Sequence, residues 1–521
     1  MQCFRQRLNA PDQPPFYFIL PGFGFGLEVG GESHAYRVDA PISSLRELAS
    51  CASRLICGID QLQAQGNAPD ALTKLFALWL NEGGQMPSPS LNGSFRSASR
   101  TGKAKLSFSS IRGSTNGLRS SAKRAMRRRL HATLKDAGCI VSPDIPLFGT
   151  APVHFLPFCR HSYVTSATHG VIGEGKGVNP THGEMGALAE GVERLLAMEP
   201  DYSRSQAGYC AQDLRGQGIA IPAIEAGMRD CYSDELLTDW VAGTCYPDSP
   251  AALPAELVWF HYYPRCGFRA FDMRQTIGLA AGATESEAFA NGLLECIERD
   301  AYALLMRCRL SCPAISRKDI TSCGPDVAGL LQKLDVAGID VHMKWIRLDY
   351  PVPIAHVLLH DRRDRIPAHS HGCSAAFTPE NAIARALFEA VQMHHGLSRF
   401  AAVHWENMAA RIETCHSHPR YAWGDPLYSP TLRHLFNEPR QSARPWRGPA
   451  LDVPALCDFL SRCGRRVFWT KLGERSGLTV VRVLVEGSVS PDSRQEDRSQ
   501  RLAEWVCRCK LPGPYTDPIL T

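Results

Sequence analysis

The sequence predicts an α+β protein, a large α/β domain with pseudo-repeated parts preceded by a small winged helix-turn-helix-like domain. Three observations carry this prediction. Extended apolar runs alternate with helical patterns through most of the chain. Three helices repeat one acidic pattern, spaced roughly 100 residues apart, too far and too few for a stacked solenoid. Near the N-terminus, short strand-like runs around Gly30-Gly31 precede two amphipathic helical patterns.

The first domain is placed at residues 1–88. Runs 16–20, 23–29 and 33–38 read as strands, the last two joined at Gly30-Gly31 as a hairpin. Ser44 and Glu47 form a capping-box signature ahead of Leu45, Leu48, Ala49, Ala52 and Leu55. A second helix starts after Pro69-Asp70, spaces Leu72, Leu75, Phe76, Trp79 and Leu80 along one face, and stops at Gly83-Gly84. So small a unit is built to dock a partner. Its recognition-helix equivalent, 70–82, offers only Lys74 as a cation, meagre for a major-groove reader.

Residues 89–137 form a basic linker. Between Asn92 and Lys135 basic residues recur and no acid occurs. Ser, Gly and Thr fill the stretch to Thr115, which reads as disordered, while 118–134 reads as a basic helix.

The third part, 138–521, alternates strands and helices. Runs 255–263, 339–346, 354–360 and 479–485 read as strands, the last two as buried ones. The composition, 44% hydrophobic and 21% charged, is that of an ordinary globular protein. No apolar run is long enough to cross a bilayer, and no signal-peptide core is present, so a cytoplasmic protein is expected. Nineteen scattered cysteines with no Cys-x-x-Cys argue against a disulfide framework and against a structural zinc site.

The acidic pattern is the informative one. It stands at Gly186–Arg194, Asn291–Arg299 and Arg385–Met393, each time an acid followed three residues later by an acid or its amide. On a helix that spacing puts both groups on one face, about 60° apart. A single copy reads as a solvated face pairing with its own Arg; three copies imply convergent carboxylates, which repel and need a cation between them. A hard divalent ion is the natural occupant, and Mg²⁺ commonly arrives with phosphates. Gly173-Glu174-Gly175-Lys176-Gly177 and Gly278-Leu-Ala-Ala-Gly282 precede the first two helices and read as turns that approach a polyanion closely. His371-Gly372-Cys373 precedes the third. No Walker A motif is present.

In this order the motifs resemble those of the YcaO family: Gly-x-Gly-Lys-Gly, Ala-Leu-x-Glu-x-x-Glu-Arg, Gly-Leu-Ala-Ala-Gly, Asn-x-x-x-Glu-x-x-Glu-Arg-Asp and Arg-Ala-x-x-Glu-x-x-Gln. The resemblance covers roughly Gly138 to Gly487. It implies an ATP- and Mg²⁺-dependent enzyme that activates peptide backbone amides, most simply a cyclodehydratase turning Cys, Ser or Thr of a ribosomally made precursor peptide into thiazoline or oxazoline. Such products are often antibacterial. By motif, the resemblance makes Glu190, Glu193, Glu295 and Glu298 the Mg²⁺-holding acids. Asn291, Glu389 and Gln392 complete the nucleotide and metal pocket, and Arg299, Arg385 and Lys176 face phosphate. No catalytic residue is assigned.

Two departures stand out. Gly173 and Gly186 occupy positions where the family often has Ser, and the tail Pro512-Gly-Pro514-Tyr-Thr-Asp-Pro518 only partly matches the alternating prolines of azole-forming members. The tail leaves thioamide- or amidine-forming branches open. The N-terminal unit resembles winged-helix leader-recognition elements, in which a leader peptide adds a strand to the hairpin edge. The implied partners are a precursor peptide with leader and core, a flavin-dependent azoline dehydrogenase and other synthetase subunits. A competing expectation of another class is a DNA-binding regulator with a degenerate nucleotide domain.

Overall fold

A computed structural model of the chain describes residues 16–20, 24–29, 32–37, 95, 106, 120–143, 160–166, 170–177, 180–223, 234–235, 237–260, 262, 276–411, 432–437, 445–489 and 499–511. The chain divides into two compact units. One is Met1–Gly102 with Glu199–Ile221 and Gly227–Arg274; the other is Lys103–Met198, Pro222–Ala226 and Gln275–Thr521.

In the first unit, β1 (Phe16–Leu20), β2 (Gly24–Val29) and β3 (Glu32–Arg37) pair antiparallel in the order 1-2-3. Val29 stands opposite Glu32, the register of the predicted hairpin. The expected helices after Ser44 and over 70–82 lie outside the described residues, as do most of the linker to Thr115 and the tail from Pro512.

The second unit opens with α1 (Ser120–Asp136), the predicted basic helix. It buries Met126, Leu130 and Leu134 and leaves Arg124, Arg128 and Arg129 exposed. β4 (Cys139–Pro143), β5 (Arg160–Ser166) and β6 (Gly170–Gly177) form an antiparallel sheet, and α2 (Pro180–Met198) packs on β6 and β5. Leu130, Leu134, Val164, Ile172, Leu188 and Val192 are the core of this layer.

The chain then returns to the first unit through β7 (Ser205–Tyr209), α3 (Ala211–Gly216), β8 (Thr238–Cys245), β9 (Ser249–Pro254) and α4 (Ala255–Val258). Phe95 is seated here against Ala211, Leu214, Ile221 and Trp240. The strand expected over 255–263 is corrected: the strand is β9, it ends at Pro254, and the apolar run that follows starts as the short helix α4. Residues 255–260 are all buried, and a fully buried run shows no alternation to separate strand from helix.

The rest belongs to the second unit. It comprises β10 (Leu279–Gly282), α5 (Glu285–Arg307), α6 (Arg317–Thr321), α7 (Pro325–Val336), β11 (Ile339–Trp345), β12 (Ile354–Asp361), β13 (His369–Ala375), α8 (Pro379–Arg411), α9 (Val453–Arg462), β14 (Val467–Arg475), β15 (Leu478–Val485) and α10 (Gln500–Arg508). The strands predicted near 339, 354 and 479 are thus found, and β15 is buried along its whole length. β10 pairs with β15 and β15 with β14; β11, β12 and β13 form a second antiparallel sheet. Helix α5 packs on β15 and β10, and α8 on β13 and β12.

Buried charge fixes the C-terminal helix. Arg501 on α10 donates from Nε to both Asp300 oxygens, at 2.9 and 3.1 Å, and reaches Asp349 through two bonds of 2.7 Å. Tyr350 and the Val489 amide also donate to Asp300, so the fully buried carboxylate is satisfied on both oxygens.

Candidate active site

Three strand-to-helix steps build the site: β6 into α2, β10 into α5, and β13 into α8. In each, a glycine lets the strand lie against the following helix. A Cβ on Gly173 would stand 2.4 Å from the Ala187 carbonyl oxygen, and one on Gly175 1.7 Å from that of Gly183. On Gly282 it would meet the Ala288 nitrogen at 2.4 Å, and on Gly372 the Ala386 oxygen at 2.2 Å. These glycines are strand residues facing helix backbone, which corrects their expected role as turns cradling a polyanion.

Each helix also touches the strand of the next step: α2 meets β10, α5 meets β13, and α8 meets β6, so the three steps close on themselves. Glu193, Glu298 and Glu389 sit on those contacts, and Glu190 on the strand of its own step. Glu190 accepts the Glu174 N–H at 2.8 Å, while Glu193 accepts the Ala281 N–H of β10 at 3.0 Å. Glu298 of α5 accepts the Ala375 N–H of β13 at 3.3 Å. Glu389 of α8 lies 3.9 Å from the Lys176 ammonium of β6.

Arg299 stands among three carboxylates, 3.5 Å from Glu298, 3.7 Å from Glu389 and 3.9 Å from Glu295. Arg194 donates to Glu190 at 2.8 Å. Asn291 donates to the Ala281 carbonyl at 3.3 Å. A cleft of about 360 Å³ opens over this cluster, lined by Glu190, Glu193, Asn291, Glu295, Arg299 and Leu279–Ala281.

The cluster is short of positive charge. Burial, then repulsion from Glu190 and Glu295, pushes the Glu193 carboxyl well up. Burial raises Glu295 to about 7 although Arg299, Arg482 and Arg194 pull it down. Burial, with Glu389 and Glu295 adding to it against Arg299, raises Glu298 to about 8. Burial works against the Arg299 charge, but Glu298, Glu389 and Glu295 outweigh it and hold the guanidinium firmly protonated. Clustered carboxylates that still resist ionisation beside three arginines are a donor set for a hard divalent cation, and oxygen ligands of this kind suit Mg²⁺.

The structure therefore brings together Lys176, Glu190, Glu193, Asn291, Glu295, Glu298, Arg299 and Glu389. Gln392 is half-buried one turn beyond Glu389 on α8, and Arg385 is exposed one turn before it; neither lines the cleft. Two site residues had no role in the sequence reading. Arg194 belongs to the first motif but looked like ordinary pairing along a helix. Arg482 lies on buried β15, donates to the Ile277 carbonyl at 2.9 Å, and is lowered to about 10, burial outweighing Glu295 and Glu193. A lone Arg in the run Val480–Val485 was the available signal, since a buried cation needs partners.

The family model for YcaO, described as an ATP- and Mg²⁺-binding cyclodehydratase, matches residues 174–489, more than half of the chain. An uncharacterized protein of Methanothermobacter thermautotrophicus is 28% identical over 341 residues, covering 61% of this chain and 82% of that protein. An uncharacterized protein in the tfuA 3′ region of Rhizobium leguminosarum bv. trifolii is 29% identical over 231 residues, covering 42% of this chain and 54% of that one. Among solved structures, a heterocyclase in complex with substrate and cofactor matches with a TM-score of 0.56 at 17% identity, over 75% of this chain and 56% of its own. The heterocyclase TruD matches with a TM-score of 0.50 at 19% identity, over 65% of this chain and 51% of its own. The chain thus spans about half the length of these two heterocyclases, a likeness of fold. Among the described residues no helix is long and apolar enough to cross a membrane. With the motifs in family order and the family model matching more than half of its length, the chain belongs to the YcaO family of ATP- and Mg²⁺-binding cyclodehydratases.

Proposed function

We propose that this protein is an ATP- and Mg²⁺-dependent cyclodehydratase that forms thiazoline or oxazoline from Cys, Ser or Thr of a ribosomally made precursor peptide. One observation carries the reading: acids from three helices, Glu190 and Glu193, Glu295 and Glu298, and Glu389, share one site with Arg299 and Lys176. Glu190, Glu193, Glu295 and Glu298 hold Mg²⁺. Asn291 and Glu389 complete the nucleotide pocket, and Arg299 and Lys176 face phosphate; Gln392 and Arg385, which the family resemblance also implied, do not line the cleft and are given no role. When bound, Mg·ATP supplies the phosphoryl group that turns an amide-derived oxygen into a leaving group. The protein contributes charge neutralisation and positioning, the main requirements of phosphoryl transfer.

In the proposed reaction the side-chain sulfur or oxygen bonds to the preceding carbonyl carbon, and that carbonyl's oxygen departs as phosphate. Each ring formed costs the peptide one water. The product belongs to the class of modified, commonly antibacterial peptides, and a flavin-dependent dehydrogenase and other synthetase subunits are its proposed partners. The partly matching tail Pro512-Gly-Pro514 leaves open a second reading, thioamide or amidine formation at the same site. Mass spectrometry of a co-expressed precursor separates them: oxygen-to-sulfur exchange supports the thioamide, and loss of one water supports the azoline when fragmentation places it at Cys, Ser or Thr, or the amidine when it places it at an amine. An unmodified precursor beside undiminished ATP turnover sinks both.

A further inference from the structure

The sheet β11–β12–β13 has two unlike faces. Ile339, Met343, Trp345, Val357 and Leu359 enter the core under α7 and α8, and the alternate positions carry Asp340, His342 and His360. We propose that Asp340, His342 and His360 form a binding site for one divalent transition-metal ion of the zinc type. The inference is independent of the function proposed above.

The donor atoms of the three side chains all lie within 4.8 Å of one another, and Asp340 stands directly across from His360 in the strand register. Donors around a tetrahedral zinc with bonds of about 2.1 Å sit about 3.4 Å apart. Closure thus asks for a contraction of at most about 1.4 Å, within reach of half-buried side chains that rotate toward a shared ion. Two imidazoles and one carboxylate suit zinc and its first-row neighbours and do not suit Mg²⁺, which prefers oxygen.

The surroundings supply the outer contacts of a metal site. Asp364 Oδ1 lies 3.4 Å from His360 Nε2, the arrangement in which a carboxylate holds the ring proton and leaves Nδ1 as donor. Arg362 donates from Nε to Asp340 Oδ1 at 2.8 Å, which steadies that carboxylate and leaves Oδ2 for an ion. Phe436 covers the pair, its ring 4.8 Å from His342 and 5.1 Å from His360.

His342 gives the second, independent pointer. Its Nδ1 accepts the Asn437 N–H at 3.1 Å, so the ring proton sits on Nε2, which is buried without a hydrogen-bond partner. An ion on Nε2 requires the ring proton on Nδ1, so binding there must turn the Asn437 N–H away from the ring. Lys344, the other cation on this face, is occupied with the His434 carbonyl at 2.8 Å. Three protein ligands leave one position open, which makes the bound ion exchangeable. Sequence spacing concealed the site because its ligands come from neighbouring strands, two residues and about twenty residues apart.

The test uses the full, untagged chain, stripped with a chelator and titrated with zinc chloride against a chromogenic chelator. With saturating Mg²⁺ present to occupy the acid cluster, one equivalent is expected. Its affinity should fall at least tenfold in His342→Gln and in His360→Gln and hold in Glu295→Gln. Co²⁺ in place of zinc should give visible ligand-field bands without sulfur charge transfer, unchanged after thiol alkylation. No stoichiometric binding, a thiolate spectrum, or wild-type affinity in the His342→Gln/His360→Gln double variant overturns the proposal. Should the histidine variants not fold, the wild-type Co²⁺ spectrum and the affinity of Asp340→Asn decide.

Discussion

Arg299 is where the two halves of the acid cluster meet: Glu295 joins it to Glu190 and Glu193, and Glu389 joins it to Lys176. The carboxylates are held close at a cost in stability that only a cation offsets, so their neutral isosteres should separate function from folding. Glu295→Gln and Glu298→Gln should each lower ATP turnover at least 100-fold, about 2.7 kcal/mol of transition-state stabilisation or more. Melting curves without Mg²⁺ should stay level or rise; retained turnover in either variant would remove the metal role assigned to it. A pH dependence follows with a definite sign. Glu295 and Glu298 titrate near 7 and 8 in the folded chain and near 4.5 when unfolded. The folded state therefore binds more protons between those limits, and the stability of the metal-free protein should fall as pH rises from about 5 to about 8. Mg²⁺ needs the ionised acids, so its affinity should climb over the same window, with protons released on binding. Melting temperatures in chelator and in Mg·ATP across this range check both trends, which should diverge toward the alkaline end.

At the scale of elements, the glycines ahead of the acidic helices were plain in the sequence, and their purpose was not. A run such as Gly173-Glu-Gly175 shows that something comes close but not what; the structure answers with the backbone of α2. Gly175→Ala and Gly372→Ala put a methyl group 1.7 and 2.2 Å from helix carbonyl oxygens, so strand or helix must move. Each should lose about 1–3 kcal/mol or more in chemical denaturation. Gly186 differs, because its Cβ would meet the Gly175 Cα at 3.4 Å, an ordinary contact. Gly186→Ser should cost less than about 1 kcal/mol. Equal losses at Gly175 and Gly186 would mean that the close-approach account is wrong. It also sorts the two serine departures: residue 186 has room for a side chain, whereas at 173 a Cβ would stand 2.4 Å from the Ala187 oxygen. Among the described residues, element type failed over 255–260, where burial erased the pattern, and at the glycine runs read as turns, which are strands; it held where a Glu-bearing helix or the apolar run of β15 left a clear period.

For the whole molecule, sequence periodicity exposed the repetition of three strand-to-helix steps but not their closure. That Glu193 would meet Ala281 and Glu298 would meet Ala375 depends on contacts about 80–90 residues apart, which no local pattern encodes. The closed arrangement and every acid of the cluster lie in the second unit, while the β1–β2–β3 sheet belongs to the first. This division gives the docking role of residues 1–88 a clean test. In that sheet β2 is flanked on both sides, so β1 and β3 are the edges at which a leader peptide would add a strand. Backbone hydrogen bonds along an edge supply such affinity with little dependence on salt, whereas phosphate contacts weaken steeply as salt rises. Deleting residues 1–88 keeps Phe95, which packs on Leu214 and Trp240, and leaves all the acids in place. ATP turnover should then persist, binding of a fluorescent leader peptide should fall by at least tenfold, and modification of the precursor core should slow accordingly. Leader affinity that survives the deletion would move recognition elsewhere in the chain. A truncation that instead abolishes salt-sensitive duplex binding would turn the N-terminal unit from a peptide dock into a nucleic-acid one.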